Sequence, residues 1–88
     1  MNLQKINYQK ELEKVLDTLR KEYDLLLYFI KNSNRVLTFE QIYNAVWHEE
    51  YLKDNSTIFY HVGNLRKKIN VDWIESVYGI GYRIHGIN

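Results

Sequence analysis

Seven side chains past the middle of the chain have the types and spacing to read a nucleic acid. Thr57, Tyr60, His61 and Asn64 recur at three- and four-residue intervals, which places them together on one side of a helix. Asparagine and histidine present donors and acceptors to base edges, and asparagine suits adenine in the major groove. Arg66, Lys67 and Lys68 follow, three cations suited to phosphate. The helix dipole also favours cations at a helix C-terminus, so their position has a second explanation. A few residues on, Ser76, Tyr78 and Gly79 approach a glycine-marked turn, where tyrosine can stack on a sugar or hydrogen-bond a phosphate. A helix followed by a small hairpin gives one compact domain two probes, one for the major groove and one for the neighbouring backbone or minor groove.

The third helix is expected over about 56–69, with Asn55 or Ser56 as its cap and Ile58, Val62, Leu65 and Ile69 on its core face. On that reading Thr57, Tyr60, His61 and Asn64 project away from the core. Ahead of it, Phe39, Ile42, Val46 and Trp47 give a second helix an inward stripe, with Trp47 read as a core side chain. Thr38 starts this helix, Thr38-Phe39-Glu40-Gln41 having the spacing of a capping box. Residues 48–55 are polar and read as a loop. Residues 19–31 form a first helix whose apolar face is Tyr23, Leu26, Leu27 and Ile30, ended by Asn32-Ser33-Asn34. After Asn70 the period shortens to that of strands. Residues 73–77 and 82–85 pair as a wing, Trp73 lies in the core, and Gly79 and Gly81 permit the positive φ of a tight loop.

Residues 3–18 have two readings. Ile6 and Tyr8 alternate like a strand, whereas Leu12, Leu16, Leu19, Tyr23, Leu26 and Ile30 form a 4-3-4-3-4 series that extends the first helix. Periodicity favours the helix.

Composition narrows the function. The chain has 88 residues, a single-domain length, with 45% hydrophobic and 15% aromatic residues. It has no cysteine, which removes disulfides and thiolate metal sites. The longest apolar run, residues 25–30, is too short to cross a bilayer, and no leader pattern opens the chain, so a cytoplasmic protein without membrane contact is expected. Twelve Lys+Arg against eleven Asp+Glu give a net charge of +1. Between residues 55 and 71, however, the only formal charges are Arg66, Lys67 and Lys68. A local basic patch of this size supports phosphate contact with modest affinity. His48, His61 and His85 lack ligand spacing, and no nucleophile–base pair or phosphate-cradling glycine loop is visible. No metal, cofactor or enzymatic activity is expected.

Four segments carry a resemblance to a known family. They are RKEYDLL at 20–26, RVLTFEQI at 35–42 leading to Ala45-Val46-Trp47, residues 57–68 with His61 and LRKK, and residues 74–83 ending GIGYR. Over about residues 19–85 the chain resembles the effector domain of OmpR/PhoB-type response regulators. The resemblance implies an α+β fold, a winged helix-turn-helix with a three-helix core and a C-terminal β-hairpin wing at about 73–85. Residues 1–18 would be a reduced sheet or a helix extension, the resemblance pointing to strands, and residues 19–88 the DNA-binding domain. It implies a sequence-specific regulator of transcription in a two-component system, with double-stranded DNA as partner. RNA polymerase would meet the loop at 48–55, and two copies would sit on tandem half-sites. Arg66 would hold phosphate, one of the two lysines would pair with an internal acid, and the Trp47 indole N–H would reach a phosphate.

The chain departs from the family at its start, where a full four-stranded sheet does not fit. Its Thr18-Leu19 reverses the usual order, which moves the expected helix cap to Asp17 or Thr18. Ser56, Gly63, Asn64 and Tyr78 stand where the family often has arginines. No receiver domain is expected within these residues. The altered surface and near-neutral charge leave a second function open, a winged helix that binds protein, with Leu12, Leu16 and Leu19 as its contact.

Overall fold

The computed structural model describes residues 7–86; the expectations for residues 3–6 lie outside them. Helix α1 spans Tyr8–Lys31, β1 Leu37–Thr38, α2 Phe39–Trp47, α3 Ser56–Arg66, β2 Ile74–Val77 and β3 Gly81–Ile84. The helical reading of the N-terminal segment therefore holds from Tyr8 onward, and no strand forms there. The expected cap at Asp17 or Thr18 is replaced by Asn7, whose side chain accepts from the Lys10 N–H. The 4-3-4-3-4 series and the Glu, Lys and Leu content sustain the helix unbroken through Asp17 and Thr18.

The face that α1 buries overlaps the expected one only at Leu26, which packs against the core. Glu22, Leu25 and Phe29 are buried, whereas Tyr23 is 66% and Ile30 44% exposed. Residues 25–30 are apolar on every side, so spacing alone does not fix the azimuth. Packing against α2 and α3 selects the 22/25/29 edge.

At the other end of α1, Asn32 closes the helix through its backbone N–H, which donates to the Ile30 and Phe29 carbonyls. Helix α2 opens with the complete capping box: Gln41 N–H donates to Thr38 Oγ1 at 3.1 Å, and Thr38 N–H to Gln41 Oε1 at 2.9 Å. Asn55 occupies the cap position of α3 without a side-chain bond to the helix; Asp54 Oδ1 instead accepts from the Ser56 N–H. That bond holds the Asp54 carboxyl below its ordinary range. Helix α3 ends at Arg66, so Lys67, Lys68 and Ile69 form a turn after it rather than its last turn.

The three strands order as β1-β3-β2, all antiparallel. Strand β1, two residues long, has too little pattern to be foreseen. A 3₁₀ turn over Val71–Trp73 leads into β2, and Trp73 is 40% exposed rather than in the core. The hairpin loop puts Gly79 at φ +73°, third of the four residues closed by the Ile80 N–H to Val77 carbonyl bond. A type II turn requires positive φ at that place. Gly81 has a different reason to be glycine. Its φ is not positive; a Cβ there would lie 1.8 Å from the Leu37 carbonyl oxygen of β1. The core joins Leu25 and Phe29 of α1 to Ile42, Val46, Ile58 and Val62, and is closed below by Leu37, Ile74, Tyr82 and Ile84 of the sheet. No helix among the described residues is long and apolar enough to cross a membrane.

Candidate nucleic-acid interface

Helix α3 turns Ile58, Val62 and Leu65 inward, each at most 4% exposed. Its outer face is then fixed by the 3.6-residue period. Ser56, Phe59 and Tyr60 are exposed, Gly63 and Asn64 half-buried, and Lys67 exposed just past the helix end. Phe59, 52% exposed, was missed as a candidate because an apolar aromatic reads as core. Its spacing from Ile58 and Val62 is the signal that places it outside. Its ring meets Phe39 edge-on at 5.7 Å.

His61 does not project outward as expected. It is 8% exposed, with Nδ1 2.9 Å from the Thr57 carbonyl, and its ring packs edge-on against Trp47 and Tyr60, both 5.2 Å away. Trp47 is half-buried, stacked on Tyr43 at 5.3 Å. Thr57 is half-buried on the same flank. One edge of the third helix is thus filled by aromatic packing, which narrows the accessible face to the 56/59/60/63/64/67 stripe.

The three cations divide their work. The Arg66 guanidinium donates to the Ile74 carbonyl at 2.7 Å and to Ser76 Oγ at 3.0 Å, and lies 5.4 Å from the Tyr82 ring centre. It braces the wing against α3. Burial raises the Tyr82 hydroxyl pKa, and the Arg66 charge partly offsets that. Lys68 forms a charged hydrogen bond with Glu22, whose side chain is only 7% exposed, and so takes the internal acid. The Lys67 side chain makes no hydrogen bond or ion pair among the described residues.

Beyond Ser76 the wing rises to Tyr78, 99% exposed, with Gly79 beside it and Ile80 half-exposed. The tip is held from below by the Phe39 N–H, which donates to the Ile80 carbonyl at 3.0 Å. Between the tip and the 48–55 loop lies an open cleft of about 660 Å³, lined by Phe39, Tyr51, Lys53, Asn55, Phe59 and Tyr78 among others. Lys53, exposed and at φ +64°, adds a cation to this side. On the far flank a groove of about 680 Å³ separates Tyr60, Asn64, Lys67 and Lys68 from the first half of α1. Among the described residues no group of three or more His, Asp or Glu side chains is placed to hold a metal.

A three-helix core carrying a hairpin whose tip stands beside the open face of the third helix defines a winged helix-turn-helix. The chain belongs to the family described as "Transcriptional regulatory protein, C terminal", whose profile matches residues 13–84. These are the effector domains of OmpR/PhoB-type regulators. Among curated relatives, the uncharacterized transcriptional regulatory protein YcbL of Bacillus subtilis is 43% identical over 68 residues, covering 72% of this chain and 30% of YcbL. The sensory transduction protein RegX3 of Mycobacterium tuberculosis is 42% identical over 71 residues, 75% of this chain and 31% of its own. The chain thus spans about a third of the length of such relatives. Among solved structures, the DNA-binding domain of Bacillus subtilis CssR is 36% identical, covers 73% of each chain and superposes with a TM-score of 0.66. The DNA-binding domain of Klebsiella pneumoniae RstA, solved with its RstA box, shares the fold at a TM-score of 0.68 and 17% identity, over 74% of this chain and 69% of that one.

Proposed function

We propose that this domain regulates transcription in the cytoplasm by binding double-stranded DNA, with α3 in the major groove and the wing tip on the flanking backbone or minor groove. The observation that carries the reading is the open stripe from Ser56 to Lys67 standing beside the bare Tyr78-Gly79 tip, in a chain of this family. Family membership favours DNA over a purely protein-binding role. Asn64 reads a base edge, Tyr60 makes an apolar or phosphate contact beside it, and Lys67 neutralises a phosphate. Thr57 contributes at the helix start. Tyr78 and Gly79 touch the flanking strand. Trp47, His61, Arg66, Lys68 and Ser76 act mainly by holding these groups in place, since each is engaged within the fold. The 48–55 loop, exposed on the side of the wing cleft, is the surface offered to RNA polymerase, and tandem half-sites would seat two copies head to tail.

The test is a fluorescence-anisotropy titration of a pooled 30-base-pair duplex library at two salt concentrations, with amide shifts mapped in parallel. Binding that weakens steeply with salt, with shifts concentrated at residues 56–67 and 76–80, is expected. Absence of binding up to about 100 μM at low salt overturns the reading, because non-specific binders already reach about 10⁻⁴–10⁻⁶ M at physiological salt.

A further inference from the structure

The first two-thirds of α1 carries an apolar face with nothing packed on it. Tyr8, Leu12, Val15, Leu16, Leu19 and Tyr23 are each 44–66% exposed, and the first buried residue of the helix is Glu22. The pattern is continuous, since these positions fall at i, i+4, i+7, i+8, i+11 and i+15. More than three turns of helix thus stand ahead of the core, a length that is marginal in water without packing. We propose that a second copy of this chain covers the face, the two α1 helices pairing antiparallel about a two-fold axis near residues 17 and 18.

Charge selects the occupant and its direction. In heptad terms Leu12 and Leu19 occupy d, Leu16 and Tyr23 a, with Glu13 and Arg20 at the flanking e positions. An antiparallel pair that sets Leu16 against Leu19 of the second copy also sets Leu12 against Tyr23. It then brings Glu13 beside Arg20 of the other copy, twice by symmetry. A parallel pair in register would instead set Tyr8 by Glu13 and Val15 by Arg20, with no opposite charges meeting. The Arg20 side chain is exposed and makes no hydrogen bond or ion pair among the described residues, so it is available. Six side chains with roughly 100 Å² exposed apiece set an upper limit of about 1,200 Å² across two copies, comparable with the about 1,000 Å² expected of a specific interface. The interface is isologous, using one patch twice, and needs no DNA. It is separate from any head-to-tail contact on tandem sites.

Sedimentation equilibrium of the DNA-free chain, from about 1 to 200 μM, should show a dimer with Kd below about 100 μM. L16E/L19E should remain monomeric throughout while keeping the cooperative unfolding of its core, because both sites are exposed. E13R alone should weaken the dimer about tenfold, and E13R/R20E should restore it. The chain has no cysteine, so oxidative cross-linking reads the direction. A mixture of L16C and L19C chains should form the mixed disulfide, while neither variant cross-links with itself. A monomer at 200 μM, an L16E/L19E chain that still dimerises, or efficient L16C self-cross-linking overturns the proposal.

Discussion

Gly81 and Leu37 meet so closely that a single added methyl group would lie 1.8 Å from the Leu37 carbonyl oxygen. The two strands pair there, with Leu37 opposite Tyr82 and Thr38 opposite Gly81. The close approach seats β1 on the wing strand and carries Thr38, the cap of α2, with it.

Three glycines of this domain should therefore respond differently to alanine. G81A must push β1 off β3 and should cost more than about 3 kcal/mol, or prevent folding. G79A meets no neighbour but forces alanine to φ +73°, and should cost about 1–2 kcal/mol. G63A lies within α3 with nothing within 4 Å of its Cβ and should stabilise by about 0.5–1 kcal/mol. Urea midpoints of the three variants check the order.

Lys68 neutralises the buried Glu22 across 46 residues of sequence, tying the end of α3 to α1. K68A should destabilise by about 1–3 kcal/mol, because it leaves a carboxylate without its partner. The low end is expected, since the lysine side chain is 51% exposed and its charge is partly screened. E22Q/K68A should recover part of the loss. Thermal unfolding of the three proteins at neutral pH measures it.

Glu75 receives the Arg83 guanidinium at 3.0 Å and the His85 ring at 2.9 Å. The Arg83 hydrogen bond, chiefly, holds the Glu75 carboxyl below its ordinary value. A depressed folded-state pKa adds stability above the unfolded value and loses it as pH falls through the folded one. The stabilisation of wild type over E75Q should be present above about pH 5 and shrink as the pH falls below about pH 4.

On DNA, K67A and N64A should part company. K67A should weaken binding to all duplexes alike and lower the salt slope by about one. N64A should leave the slope unchanged and relax preference at one base pair by about 1–3 kcal/mol. Anisotropy titrations with a selected duplex and its single-base variants, each at several salt concentrations, separate the two effects.

Much of the fold is legible in local chemistry. Thr38 and Gln41 announce the start of α2 because a capping box is completed within four residues. Gly79 marks the wing turn because one residue must take positive φ. Ile58, Val62 and Leu65 place α3 because their spacing admits one buried face. Where every position is apolar, as over residues 25–30, spacing cannot choose a face: of the Tyr23/Leu26/Leu27/Ile30 stripe, Leu26 packs against the core and Leu27 is half-buried, whereas Tyr23 and Ile30 stand exposed. Strand β1 was invisible because two residues carry no period. Gly81 was read as a turn glycine because its neighbour in space lies 44 positions away, at Leu37.

The candidate site divides along the same line. Sequence alone determined that an asparagine and three cations would gather at one end of a helix beside a hairpin, since all of them lie within one short stretch. Only the tertiary structure decided which of them remain free. Arg66 is drawn to the Ile74 carbonyl and Ser76, Lys68 to Glu22, and His61 beneath Trp47. Tyr60, Asn64 and Lys67 are left facing outward. The physical reason is that a buried carboxylate or carbonyl must find a donor, and which cation answers depends on distances that only the folded chain sets.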